Sequence, residues 1–184
     1  MKTALDDDPF DEVEPRPGAF RRLTGQAAAF LAAGSLGIMA GFFFAFSNPT
    51  MPGLAAVDAV VFIPAMQEIN LAVRNGVFFL AFFGPLLFCG LALVFTKQNL
   101  IWIIALGLYG AAFGITIEVN VPINEAMALW SPSSPPANWA ETRDTWIQAN
   151  HLRATLSFLA FLIALVGVHV NGVSAGRADA SRGA

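Results

Sequence analysis

Charge is what this chain has least of. Asp, Glu, Lys and Arg make up only 12% of its 184 residues, against about 25% in an ordinary soluble domain. There is one cysteine, Cys89, so no internal disulfide can form, and its place inside an apolar run reads as a buried structural thiol. Only two histidines occur, His151 and His169. On one helix they would stand about 27 Å apart, too far to share a haem between them. No paired-cysteine finger, phosphate loop, dinucleotide-binding glycine pattern or hydrolase elbow is present. Nor is there a basic stripe or arginine-rich arm, so nucleic acid has no support as a partner. Neither a metal ion nor a cofactor is expected.

What the chain has in quantity is apolar side chain: 56% of residues are hydrophobic and 17 are Phe. They gather in runs at about 27–46, 77–96, 100–117 and 154–170. The last two are near the lower limit for crossing about 30 Å of hydrocarbon, and tilt extends them. A soluble bundle of such helices would lack the polar sequence to clothe it. The expectation is an all-α integral membrane four-helix bundle occupying residues 20–171. Tails at 1–19, acidic and proline-containing, and at 172–184, rich in small residues, are expected to be solvated. The acidic opening, Asp6-Asp7-Asp8, followed by an apolar run of about 20 residues does not read as a cleaved leader.

Gly34, Gly37 and Gly41 are spaced like Gly107, Gly110 and Gly114, and each set is followed by an asparagine and a proline: Asn48-Pro49, then Asn120-Val121-Pro122. The pattern reads as two parallel two-helix repeats, with backbones close-packed on small-residue stripes and polar groups gathered at the matching ends. Basic residues then set the orientation. Lys2, Arg16, Arg21, Arg22, Lys97, Arg177 and Arg182 fall on one side, with only Arg74, Arg143 and Arg153 on the other. Both termini are expected in the cytoplasm of a multi-pass cell-membrane protein, with long outer connections at 47–76 and 118–151. Each connection is expected to carry an extra amphipathic helix, the first capped by Asp58 and either lying on the membrane or folding back over the bundle.

Polar residues concentrate in those connections. Trp139, Arg143, Trp146, Asn150, Arg153 and Ser157 fall within about 80° of one another on a helix that runs into the fourth crossing. His151 lies about 100° from Asn150. Arg153 is the sharpest feature, because a charge at hydrocarbon depth is costly unless it is paired or reaches the interface. Glu118 is its expected partner, with Asn120 and Asn124 close by and Asn48 and Asn70 contributed by the first repeat. These could line a polar-topped pocket between helices, floored by the glycine stripes. Trp130, Trp139 and Trp146 also fit plain interface anchors, and the asparagines fit helix caps.

Phe43-Phe44-Ala45-Phe46-Ser47, Met51-Pro52-Gly53-Leu54 and Ala65-Met66-Gln67-Glu68-Ile69-Asn70 resemble the opening of the anthrone-oxygenase-like family of small membrane proteins. Asn120-Val121-Pro122-Ile123-Asn124, Trp130, Trp139, Trp146, Asn150 and Arg153 continue the resemblance, which spans about residues 30–165. The Pro/Gly-rich tails depart from it. The resemblance implies a four-helix membrane domain and, from its fungal namesakes, conversion of an anthrone to an anthraquinone without metal or flavin. Such chemistry needs a base, for which His151 or Glu118 is the candidate. It also needs oxyanion donors, here Arg153, Asn150 and Asn120. Trp146, Trp139 and Trp130 would bind a flat substrate, with Asn124, Asn70 and Asn48 around it. Membrane lipid and a hydrophobic aromatic small molecule are the expected partners, and glycine stripes equally suit a homo-oligomer. A non-catalytic module binding a lipophile or a partner protein is the competing reading; a transporter would need a dimer to enclose a path.

Overall fold

The computed structural model describes residues 18–180. Of the expected tails, residues 1–17 and 181–184 lie outside that range. Helix α1 runs Ala19–Ala45, entered through Gly18 at φ 84°, a conformation that glycine adopts freely. A wide π turn, Phe46–Thr50, carries it into α2, Met51–Ala55. Pro49 sits inside that turn and has no N–H to donate; the Thr50 hydroxyl adds a bond to the Ala45 carbonyl at 2.9 Å. Asp58 caps α3, Ala59–Ala72, by accepting from the Val61 N–H. Asn75 does the same for α4, Gly76–Phe95, through the Phe78 N–H. Helix α5, Asn99–Ile115, follows a short turn and passes through a second π turn, Thr116–Asn120, into α6, Val121–Met127. Helix α7, Trp139–Ala180, is one rod of 42 residues, about 63 Å long. It stays helical beyond Gly172, where the sequence suggested a tail.

Four helical stretches are long and apolar enough to cross a membrane. Helix α1 packs on α4 and α7, and α5 packs on the same two, so α1 and α5 stand on a diagonal. The interior is built from alanines on α1, α5 and α7 and from Leu36, Met39, Phe43, Phe82, Cys89, Trp102 and Tyr109. Phe82 and Phe113 stack at 4.9 Å, and the Tyr109 hydroxyl donates to the Phe82 carbonyl at 2.7 Å, one turn before Pro85. Outward, Phe30, Ile38, Phe44, Leu80, Leu87, Val94, Ile103 and Phe158 are all exposed. So continuous an apolar surface fits hydrocarbon, not water.

The connections form a cap over one end of the bundle. Helix α3 folds back and packs on α6, burying Met51, Phe62, Ile63, Met66, Met127 and Trp146 in a second small core. The Gln67 amide staples it by donating to the carbonyls of Met127 and Trp130. At the opposite end the Arg21 guanidinium donates to the Val94 carbonyl, so the start of α1 meets the end of α4.

Two sequence expectations need correction. The glycine stripes are not continuous packing seams: a Cβ added at Gly34, Gly41, Gly107, Gly110 or Gly114 would meet nothing within 4 Å, and only Gly37 meets a neighbouring helix, where a Cβ would come 3.1 Å from the Phe161 ring. Alanine supplies the small residues of the interior instead. The closest approaches fall outside the stripes, with an added Cβ at Gly25 coming 2.9 Å from the Phe95 carbonyl oxygen and one at Gly167 coming 2.7 Å from the Trp102 ring. The repeat is also better defined by its π turns than by its glycines. Phe46 corresponds to Thr116 and Thr50 to Asn120, an offset of 70 residues, where the glycine triplets are spaced by 73.

Candidate functional site

The two π turns end α1 and α5 at the capped end of the bundle, and α7 runs past both. A π turn loosens the backbone ladder and leaves groups free for side chains to bond. The polar stripe of α7 meets the turns there. Asn150, fully buried, donates through Nδ2 to the Phe43 carbonyl at 3.1 Å and to Ser47 Oγ at 2.7 Å. Its Oδ1 accepts from Arg153 Nε at 3.0 Å. Arg153 also donates through Nη1 to Thr116 Oγ1 at 3.3 Å, at the start of the second turn. Asn120, at the end of that turn, donates to the Trp146 carbonyl at 3.2 Å, and Trp146 Nε1 donates to Asn124 Oδ1 at 2.8 Å. One face of α7 thereby ties both repeats together.

Arg153 is 6% exposed. Its guanidinium lies over the Phe43 ring at 4.3 Å and over the Trp146 ring at 5.2 Å. Aromatic faces attract a cation more strongly when water is excluded. The cap core closes above it, so the side chain cannot reach water by snorkelling. As expected, Arg153 faces the bundle interior. The expected partner does not. Glu118 is exposed, and among the described residues no carboxylate lies within ion-pairing distance of Arg153. The reason is helical phase: Glu118 is two residues from both Thr116 and Asn120, which puts it on the opposite side of the chain.

A second feature lies on another face of α7. A groove of about 740 Å³ runs between α1 and α7, lined at its far end by Gly37, Gly41, Phe44, Phe158 and Phe161. Its end nearest the cap is polar, with Ser47, Asn48, His151 and Thr155. His151 is exposed there and its ring makes no hydrogen bond among the described residues, while Thr155 Oγ1 donates to its carbonyl. The Ala154 methyl also lines the groove, on the helix turn that carries Arg153.

The structure therefore divides the anticipated constellation. Asn120, Asn124, Trp146, Asn150 and Arg153 form the buried network; His151 and Asn48 belong to the groove. Asn70 and Asn124 border a separate small cavity of about 250 Å³ with Gln67, Glu68 and Arg74. Trp139 packs on Phe62 with Arg143 over its ring, and Trp130 lies against the cap core with its carbonyl held by Gln67. Three contributors escaped sequence reasoning: Phe43, Ser47 and Thr116. Thr116 carried a signal, being a hydroxyl inside the otherwise apolar run at 100–117. Ser47 was hidden by the Asn-Pro that follows it, which reads as the start of a loop.

Among the described residues no three His, Cys, Asp or Glu side chains converge as metal ligands would. Fold and surface together define a helical multi-pass membrane protein with a polar network at one end of its bundle. Residues 78–163, from early α4 into the membrane half of α7, match the family model described as Anthrone oxygenase, which supports assigning the chain to an anthrone-oxygenase-like family. No curated protein and no solved structure matches the chain.

Proposed function

We propose that the protein oxygenates an anthrone-like or other polycyclic phenolic compound without a cofactor, taking its substrate from the membrane into the α1/α7 groove. The observation that carries this reading is the groove itself: apolar walls with aromatic side chains, and an imidazole without a hydrogen bond among the described residues, set beside hydroxyl and amide groups at one end. The family match supports the reaction class. In an anthrone the methylene proton is acidic because the anion spreads into the aromatic ketone. His151 is positioned to take that proton as a general base. The carbanion then reduces dioxygen and bonds to it, giving a peroxide at the former methylene. Protonation of the peroxide, loss of the second C–H proton and cleavage of the O–O bond leave a ketone and water. The balance is one anthrone and one dioxygen to one quinone and one water.

Glu118, exposed and turned from the network, is the weaker candidate base. The further expectations on orientation belong to the same proposal: both termini in the cytoplasm, with the capped end and its groove mouth on the outer side of the cell membrane. The test is oxygen uptake and quinone formation from emodin anthrone by purified protein in nanodiscs. Wild-type protein is expected to accelerate oxidation over empty nanodiscs, and His151→Gln to lower kcat by about 100-fold or more. Equal rates with and without protein would remove this substrate class. Saturable binding of the anthrone with no acceleration would favour the competing reading of a non-catalytic lipophile-binding module, for which the groove's apolar walls are equally suited.

A further inference from the structure

Ser47 stands where the buried network and the groove meet. It lines the groove's polar end, and its oxygen accepts from Asn150 Nδ2 at 2.7 Å. The orientation of the Asn150 amide is fixed by its other partners. Its nitrogen faces the Phe43 carbonyl and its oxygen faces Arg153 Nε–H. Turning the amide over would set oxygen against oxygen and donor against donor. Ser47 must therefore accept from Asn150, and its own proton is left to give. No acceptor for that proton exists among the described residues, although helical serines commonly bond back to the preceding turn. Beyond Asn150 lies a buried guanidinium with no carboxylate partner among the described residues, and its field is little screened in so dry a place.

We infer that Ser47 is the oxyanion donor of this site, and that Arg153 positions and polarises it through Asn150. The inference rests on the groove being the substrate site proposed above. The ligand class it selects is an aromatic ketone or phenol whose oxygen becomes anionic in place: an enolate or a phenolate. As negative charge grows on that oxygen, the Ser47 hydroxyl donates to it, Asn150 donates to Ser47, and Arg153 donates to Asn150. Each bond strengthens the next, and a donor aimed at developing charge acts without reorganisation. No proton leaves Ser47 in this scheme; the base remains His151. The arrangement also gives the unpaired cation a purpose, since its compensating charge arrives with the ionised substrate.

A hydroxyanthraquinone dye, whose absorption moves to the red when a phenol ionises, reads this directly without turnover. The full chain in nanodiscs is titrated with the dye and the ionisation midpoint of the bound dye is compared with that in empty nanodiscs. The expected result is a midpoint lowered by about one unit or more. Ser47→Ala should return it toward the empty-nanodisc value while the dye still binds, and Ser47→Thr should retain the depression. Arg153→Lys, which keeps the charge and loses the planar fork, should reduce the depression. Wild-type protein with no depressed midpoint, or a depression that survives Ser47→Ala, overturns the inference. A depression that depends on Ser47 in a protein with no oxygenase turnover upholds the donor and removes only the catalytic reading.

Discussion

Arg153 shows how much one side chain can organise. Removing a guanidinium from water costs several kcal/mol, and here no carboxylate among the described residues offsets it. Two hydrogen bonds, to Asn150 and Thr116, and the faces of Phe43 and Trp146 do so instead. Arg153→Leu strands the Asn150 carbonyl oxygen beneath the cap, at about 1–3 kcal/mol for a buried group left without its partner. A clear fall in Tm is expected. Arg74→Leu, at an exposed position by the small cavity, should leave Tm nearly unchanged. A thermal-shift series on the two variants checks this, and equal effects would contradict the network as drawn. The position of Arg153 was legible because it is an isolated charge at the start of an apolar run. Its partners were not, because they include a carbonyl-bonded asparagine and a threonine that sequence alone offers no reason to prefer over Glu118. Helical phase did hold part of the answer: it separates Glu118 from Asn120 and His151 from Asn150, the divisions the structure shows.

At the scale of elements, the glycines teach the sharper lesson. Repeated spacing made Gly34, Gly37 and Gly41 look like a seam, yet spacing reports only that residues share a face. Which face meets another helix depends on side chains elsewhere, and here alanines took most of that place, with Gly37 alone of the two triplets set against a neighbour, the Phe161 ring. The consequence is measurable. Gly167→Ala would push a methyl to 2.7 Å from the fully buried Trp102 ring, an overpacking that costs about 1–3 kcal/mol. Gly107→Ala meets open space and should raise stability by up to about 1 kcal/mol through helix propensity. Opposite shifts in Tm from the same substitution are the expected signature. The long helices and the Asp58 cap were readable from apolar runs and capping chemistry. The π turns were not: Asn48-Pro49 signals a break, and only the Thr50 hydroxyl bonding Ala45 shows how the chain stays helical through it.

For the whole molecule, the alternation of long helices puts the start of α1 and the α4–α5 turn at one end and the cap at the other. Arg21, Arg22 and Lys97 mark the uncapped end, the end that our proposal assigns to the cytoplasm. Single cysteines introduced into a Cys89→Ser background test this. Ser133→Cys should react with an impermeant maleimide in intact cells, and Gln98→Cys only after permeabilisation; the reverse pattern would invert the topology. Native Cys89, wholly buried, should stay unlabelled until the protein is denatured. The repeat was legible here because its two halves end in like residues, while the angular relation of cap to bundle was not. That relation follows from the two wide turns. Each holds one residue more than an α-helical turn of the same span, and one residue advances a helix by about 100°. Cap and bundle are thus out of phase by a fixed step taken at the same place in both halves. Loss of a single residue from either turn would shorten the chain hardly at all, yet would swing that half of the cap a quarter-turn off its seat and open the arginine to water.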